Sequence, residues 1–189
     1  MIDCLYQPFK HWSDGGSVWI ISDPHFDDPD CLYMNPNWIT PEEHITFIND
    51  FVYKNDTLIC LGDVGNPEWF NKIKCKNKVL VTGNHDKGKT IYKPYFSEIY
   101  DGCLFIADKI LLSHEPIWGL EDFCVNIHGH CHAENDIYWR RSHVNLAADV
   151  ANYLPFNLGR AIKNGLLKDV DNYHRFTIDK ATVEGSVIK

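Results

Sequence analysis

Three strand-length apolar runs, each closed by a polar loop, constrain the fold of this chain more than any other feature. They are "VWIIS" (Val18 to Ser22), "TLICLGD" (Thr57 to Asp63) and "KVLVTGNHD" (Lys78 to Asp86). Their apolarity is continuous rather than alternating, which is the pattern of buried strands. Between the first two lies "TPEEHITFINDFVYK", where Thr40 suits a helix cap and Pro41 the first helical position. Ile45, Ile48, Phe51 and Val52 follow at helical spacing, so the segment reads as strand, helix, strand. "PEWFNKIK" (Pro67 to Lys74) predicts a second, shorter helix, and the first half reads as α/β with parallel strands.

The second half has another texture. "EIYDGCLFIADKILLSHEP" predicts two or three short strands with turns at Asp101-Gly102 and Asp108-Lys109, and "FCVNIHGH" predicts a further strand running into a loop. "DIYWR" and "SHVNLAADV" come next, then "PFNLGRAIKNGLL", a late helix with Leu158, Ala161, Ile162 and Leu166 on one face. "YHRFTIDKATVEGSVI" predicts a closing hairpin. No repeat, low-complexity segment or Pro/Gly/Ser-rich linker divides the chain.

With 189 residues, 44% hydrophobic and 23% charged, the chain is expected to form a single packed domain over 1–189. Its start lacks a basic stretch followed by an apolar run, and no window approaches the roughly 18 apolar residues of a membrane span, so a cytoplasmic protein is expected. The 7 cysteines are odd in number, scattered, and free of any Cys-x-x-Cys pair, which opposes a disulfide framework and a zinc ribbon. A net charge of −8 disfavours binding to long nucleic acid. The basic stretch "NKIKCKNK" (Asn71 to Lys78) is expected to be a solvated helix end and turn.

Five polar motifs sit at predicted strand ends: Asp23-Pro24-His25, Gly62-Asp63-Val64-Gly65, Gly83-Asn84-His85-Asp86, Ser113-His114-Glu115 and Gly129-His130-Cys131-His132. The carboxyl ends of strands in open α/β sheets converge on one crevice, so the motifs can share a site. They collect carboxylates, imidazoles and one carboxamide, a ligand set for two divalent ions of the manganese, iron, zinc or nickel type. Singly, each motif is an ordinary turn or a lone histidine. Their order and spacing together are specific.

From about Val18 to His132, that order resembles the calcineurin-like metallophosphoesterases, whose pattern is Asp-x-His, Gly-Asp, Gly-Asn-His-Asp/Glu, His and Gly-His-x-His. "SDPHF", the helical insert, "LGDVG", "GNHD", "LSHEP", "HGHCH" and "NLAADVANYLPFNL" are similar to a group of small bacterial and phage phosphoesterases. The resemblance implies a four-layer α-β-β-α sandwich, two mixed sheets flanked by helices, with the site at one end and little capping domain. A phage-encoded member would work in the host cytoplasm.

Carried over residue by residue, the resemblance implies one ion held by Asp23, His25, Asp63 and His132. A second would be held by Asp63, Asn84, His114 and His130, with Asp63 bridging. Manganese is the expected metal, with iron, zinc or nickel as alternatives. A hydroxide shared by the ions would be the nucleophile. His85 would protonate the leaving alkoxide or contact the phosphate. The protein serine/threonine phosphatase branch orients this histidine with an Asp, where this chain has Asn66. Asn66 or Asp86 would take that role here, and His128 is expected on the strand behind the ligands. Arg140, Arg141, Arg160 and Arg175 are the arginines present, and none matches a phosphate clamp.

Blander expectations attach to other residues. Cys131 is a bystander, and Asp27, Asp28 and Asp30 form a solvated loop. His11, His44, His143 and His174 are surface or cap residues, and Trp118 is core or else a stacking wall for a nucleobase. Asp149 and Asn152 hold the loop after a strand.

The expected activity is metal-dependent hydrolysis of phosphodiesters of nucleotides or small organic phosphates. A phosphomonoesterase or phosphoprotein phosphatase would use the same metals and more basic residues. A nuclease on long DNA or RNA would need a basic track. A non-catalytic binding module on this fold would lack the histidine acid or several ligands, all of which this chain keeps. The oligomeric state stays open, since a closed dimer could supply a substrate wall.

Overall fold

The computed structural model describes residues 16–107, 109–132, 136–138 and 142–170. The predicted closing hairpin, Asp108 of the second turn, His11, His174, Arg140, Arg141 and Arg175 lie outside the described residues.

Strands β1 (Val18–Ile21), β2 (Thr57–Cys60), β3 (Asn77–Val81), β4 (Glu98–Tyr100) and β9 (Phe156–Asn157) form one sheet in the order β4-β3-β2-β1-β9. All neighbours in it are parallel except β9, which runs antiparallel to β1. Strands β5 (Leu104–Ala107), β6 (Ile110–Leu112), β7 (Val125–His128) and β8 (His143–Asn145) form the second sheet in sequence order. There β5 pairs antiparallel with β6, and the other pairs are parallel. Both sheets are therefore mixed, as the resemblance implied.

A short helix α1 (Cys31–Met34) precedes α2 (Pro41–Phe51), whose start the sequence specifies closely. The Glu43 backbone N–H donates to Thr40 Oγ1 at 3.3 Å, and the Thr40 N–H donates to Glu43 Oε2 at 2.9 Å, a reciprocal cap with Pro41 at the first turn. Ile45, Ile48 and Val52 are buried against the first sheet, but Phe51 is exposed. "PEWFNKIK" is a 3-10 helix over Pro67–Lys72 rather than an α-helix: it stops where the Ile73 N–H bonds three residues back, to Phe70.

The sheets pack face to face. Ile20, Ile59 and Val79 from the first meet Leu112, Ile127 and Val144 from the second, and the same cluster takes in Leu158, Ala161 and Ile162 of α3 (Leu158–Lys163). Leu166, expected on that face, is exposed, because the helix ends at Lys163 and Gly165 turns the chain at a φ of 67°. On the far face of the first sheet, Trp19, Ile21, Leu58 and Leu80 pack against Ile45, Ile48 and Phe70. Apolar cover on both faces is what the continuous runs require.

The far face of the second sheet is buried but polar, with Asn126, His128, His143 and Asn145. Among the described residues the segment 115–124 covers it: the Ile117 N–H donates to Asn126 Oδ1 at 2.7 Å, and Trp118 lies with its ring centroid 4.7 Å from that of His143. His143 is thus buried and not a surface residue, while Trp118, expected in the core or else as a stacking wall, is exposed and so not core. His44 is also buried, between the rings of Phe26 and Tyr153, and burial pushes its pKa down to about 3.

Candidate metal centre

The loops after β1, β2, β3, β6 and β7 meet at one end of the sandwich. Beyond their strands, the β1 and β2 loops keep bonding: Asp23 N–H donates to Gly62 O at 3.1 Å and His25 N–H to Asp63 O at 3.0 Å. The Asp86 carboxylate ties in the β3 loop, accepting from the N–H groups of Gly83 (2.8 Å), Asp63 (3.0 Å) and Val64 (2.9 Å) and from the Tyr92 hydroxyl (3.1 Å). The second sheet's loops are joined by Gly129 N–H to His114 O at 2.9 Å. Bonds also cross the seam between sheets, among them His130 N–H to Asp23 Oδ2 at 2.9 Å and His114 Nδ1–H to Leu61 O at 2.8 Å.

This tight geometry strains the backbone where the polar residues sit. Asp23, His25, Asp63 and His130 have φ of 53°, 42°, 50° and 66°. A non-glycine residue in that region costs about 1–2 kcal/mol, and such strain collects where packing holds side chains for a purpose. Gly129 is obligatory for a different reason, since a Cβ there would run into Asp23 Oδ2 and Ser22 Oγ.

The side chains form two donor groups, Asp23 with His25 and His132, and Asp63 with His114 and His130, each with its donor atoms within 4.8 Å of one another. Asp63 Oδ2 lies 3.6 Å from His25 Nε2 and 3.3 Å from His114 Nε2, so one oxygen faces both groups. Asn84 Oδ1 joins the second group, 2.7 Å from His114 Nε2 and 3.1 Å from His130 Nδ1. All seven expected ligand residues are thereby brought together.

Their electrostatics fit cations. Asp23 is fully buried, and its Oδ1 has no hydrogen-bond partner while standing 3.7 Å from both His114 Nδ1 and His132 Nε2. Burial raises its pKa, against the opposing pull of His114 and His132. For His114, burial disfavours the charged ring, but the Asp63 hydrogen bond and the charges of Asp23 and Asp63 prevail and push the pKa up to about 9. Burying such anionic and imidazole donors together is favourable only with a compensating positive charge. A further grouping of His25, Asp28 and Cys31 shares His25. Burial pushes the Cys31 thiol up to about 12.

The remaining expected residues divide. His85 is exposed at the mouth, its N–H donating to Asp63 Oδ1 at 2.9 Å and its ring centroid 5.7 Å from that of His25. Neither Asn66 nor Asp86 orients it. Asn66 caps the 3-10 helix through Glu68 N–H and donates to Asp27 Oδ2, and Asp86 spends its oxygens on three backbone N–H groups and the Tyr92 hydroxyl. His128 lies on β7 outside both donor groups, with Nδ1 bonded to Gly129 O at 2.8 Å and its pKa pushed down by burial to about 4.

Two carboxylates carry more than their sequence reading. His25 Nδ1–H donates to Asp28 Oδ2 at 3.1 Å, and His132 Nδ1–H to Asp149 Oδ1 at 2.8 Å. Asp27 likewise is no idle loop residue, since Trp69 Nε1–H and Asn66 both donate to it.

A model of the calcineurin-like phosphoesterases matches residues 16–175, a span that holds every loop of the centre. The chain belongs to the calcineurin-like phosphoesterase family. With its two donor groups it is a metal-dependent phosphoesterase. The chain is also similar to a crystal structure of a protein of unknown function from Aquifex aeolicus, at 28% identity over 78% of this chain and 98% of that one, with a TM-score of 0.65. No curated protein matches. Among the described residues no helix is long and apolar enough to cross a membrane.

Proposed function

We propose that this member of the family hydrolyses phosphodiesters of nucleotides or other small organic molecules at a dinuclear centre. The observation that carries the reading is Asp63 Oδ2, which stands between His25 Nε2 at 3.6 Å and His114 Nε2 at 3.3 Å. Asp23, His25 and His132 would hold one ion and Asn84, His114 and His130 the other, with Asp63 shared. Divalent ions there supply the Lewis acidity that activates water and neutralises phosphate charge. Manganese suits these carboxylate, imidazole and carboxamide donors, among which no thiolate stands.

The protein's own part is positioning and proton transfer. Asp63 aims one oxygen at both donor groups while its other accepts from the His85 backbone, which sets the His85 ring at the mouth. An exposed imidazole there gives its proton to the departing oxygen of the ester. The diester preference rests on charge and access. Asn84, His85 and His130 are exposed, so the mouth is open to a substrate with two substituents. A diester carries one negative charge less than a monoester and needs less cationic help. Arg160 is the arginine among the described residues, and it stands on α3, which starts beyond the Trp19 end of β1, away from the centre. The net charge of −8 favours a small ester over long nucleic acid.

Metal-stripped protein refilled with manganese tests this against bis-p-nitrophenyl phosphate and p-nitrophenyl phosphate, beside His85→Ala. Preferential diester turnover that needs metal and collapses in the variant is expected. Turnover of the monoester alone would reject the substrate class.

A further inference from the structure

The two halves of the centre differ in what stands behind their histidines. On the Asp23 side, His25 and His132 each donate Nδ1–H to a carboxylate, Asp28 at 3.1 Å and Asp149 at 2.8 Å. That bond fixes the tautomer with the Nε2 lone pair turned inward, and a carboxylate partner makes the ring a stronger donor. On the Asn84 side, His114 donates Nδ1–H to the neutral carbonyl of Leu61 at 2.8 Å. His130 turns Nδ1 itself toward Asn84 Oδ1, and its ring is exposed.

Both carboxylates are held for this task. Asp28 Oδ1 accepts from the Asp30 N–H at 3.0 Å, leaving Oδ2 for His25. Asp149 is nearly buried, in a turn closed by Tyr153 N–H to Ala148 O at 2.7 Å and Ala151 N–H to Ala147 O at 2.9 Å. The charge count follows the same division. Asp23, Asp28 and Asp149 lie on one side, the other has the uncharged Asn84, and Asp63 is common to both.

We infer that Asp28 and Asp149 are positioning residues that make the Asp23 side of the centre take up its ion first and hold it more tightly than the Asn84 side. The inference rests on the dinuclear reading above. Opposite charge attracts a dication more strongly than an amide dipole does, and two pre-oriented imidazoles need no reorganisation on binding.

Titration of the metal-stripped full chain with Mn2+, free ion read by electron paramagnetic resonance, tests it. The native protein should bind in two resolved steps. Asp28→Asn and Asp149→Asn should each weaken the tighter step about 10- to 100-fold and leave the weaker step in place. Asn84→Ala should remove the weaker step and keep the tighter one. A merely structural role would instead lower the metal-free unfolding midpoint of the two Asn variants, which should match the native value. If Asp149→Asn does not fold, the more exposed Asp28→Asn decides alone. Two native steps with the tighter one unmoved, or both steps weakened equally, overturn the inference while the dinuclear reading stands. One ion or none in the native protein overturns both.

Discussion

In the first sheet, β1, β2 and β3 are apolar on both faces and their loops are bonded to one another through backbone and through Asp86. The second sheet has one apolar face and one buried polar face, and it delivers His114, His130 and His132 on loops tied by the backbone bond from Gly129 to His114. The carboxylates and the carboxamide of the centre come from the first sheet, and three of its imidazoles from the second. A rigid anionic half is thus docked across a narrow seam to an imidazole half, so damage to the first should cost structure and chemistry together, and damage to the second chiefly metal.

Asp63 is the sharpest place to break this division, since both donor groups meet there. Asp63→Ala is expected to lower hydrolysis to background and to reduce bound metal, read by elemental analysis beside turnover; full activity would remove the bridging role. His85→Ala comes next, with a loss of about 10²- to 10⁴-fold in turnover at unchanged metal content. Equal loss of metal would make His85 a support of Asp63 rather than a proton donor.

Asp86→Ala strips the acceptor from the Gly83, Asp63 and Val64 N–H groups, so a loss of about 2–4 kcal/mol in denaturant unfolding is expected. An unchanged midpoint would show that the first half is not held together by this carboxylate.

A last test lies in pH. Burial keeps His44 neutral down to about 3 and His128 down to about 4, whereas the unfolded rings titrate near 6.5. Below about 6.5 the unfolded chain therefore binds more protons than the fold, and stability falls as pH drops, by at most about 1.4 kcal/mol per unit for each ring. His44→Phe should flatten that acid limb, as followed by unfolding midpoints between pH 4 and 7. An equally steep limb in the variant would remove His44 from the account.

How much of this was legible in the sequence depends on whether a residue's partner is local. The Thr40 cap, the apolar runs and the five loop motifs are short-range patterns, and each appears where it was expected. In the sequence Asp28 and Asp149 read as loop residues, because what defines them is a ring in space. Asp28 stands three places after His25 and offered a faint signal, while Asp149 is separated from His132 by 17 positions and offered none. His44 and His143 are buried although the sequence suggests surface, because a polar residue on a helix or strand reads as surface unless its cover is known. That cover is the aromatic pair Phe26 and Tyr153 for one and the 115–124 segment for the other.

The most direct test of the central claim is anomalous diffraction at the manganese edge from crystals of the metal-refilled protein. Two peaks about 3.5–4 Å apart, one on each side of Asp63 Oδ2, are predicted. A single peak, or a pair that leaves Asp63 outside, would contradict the account.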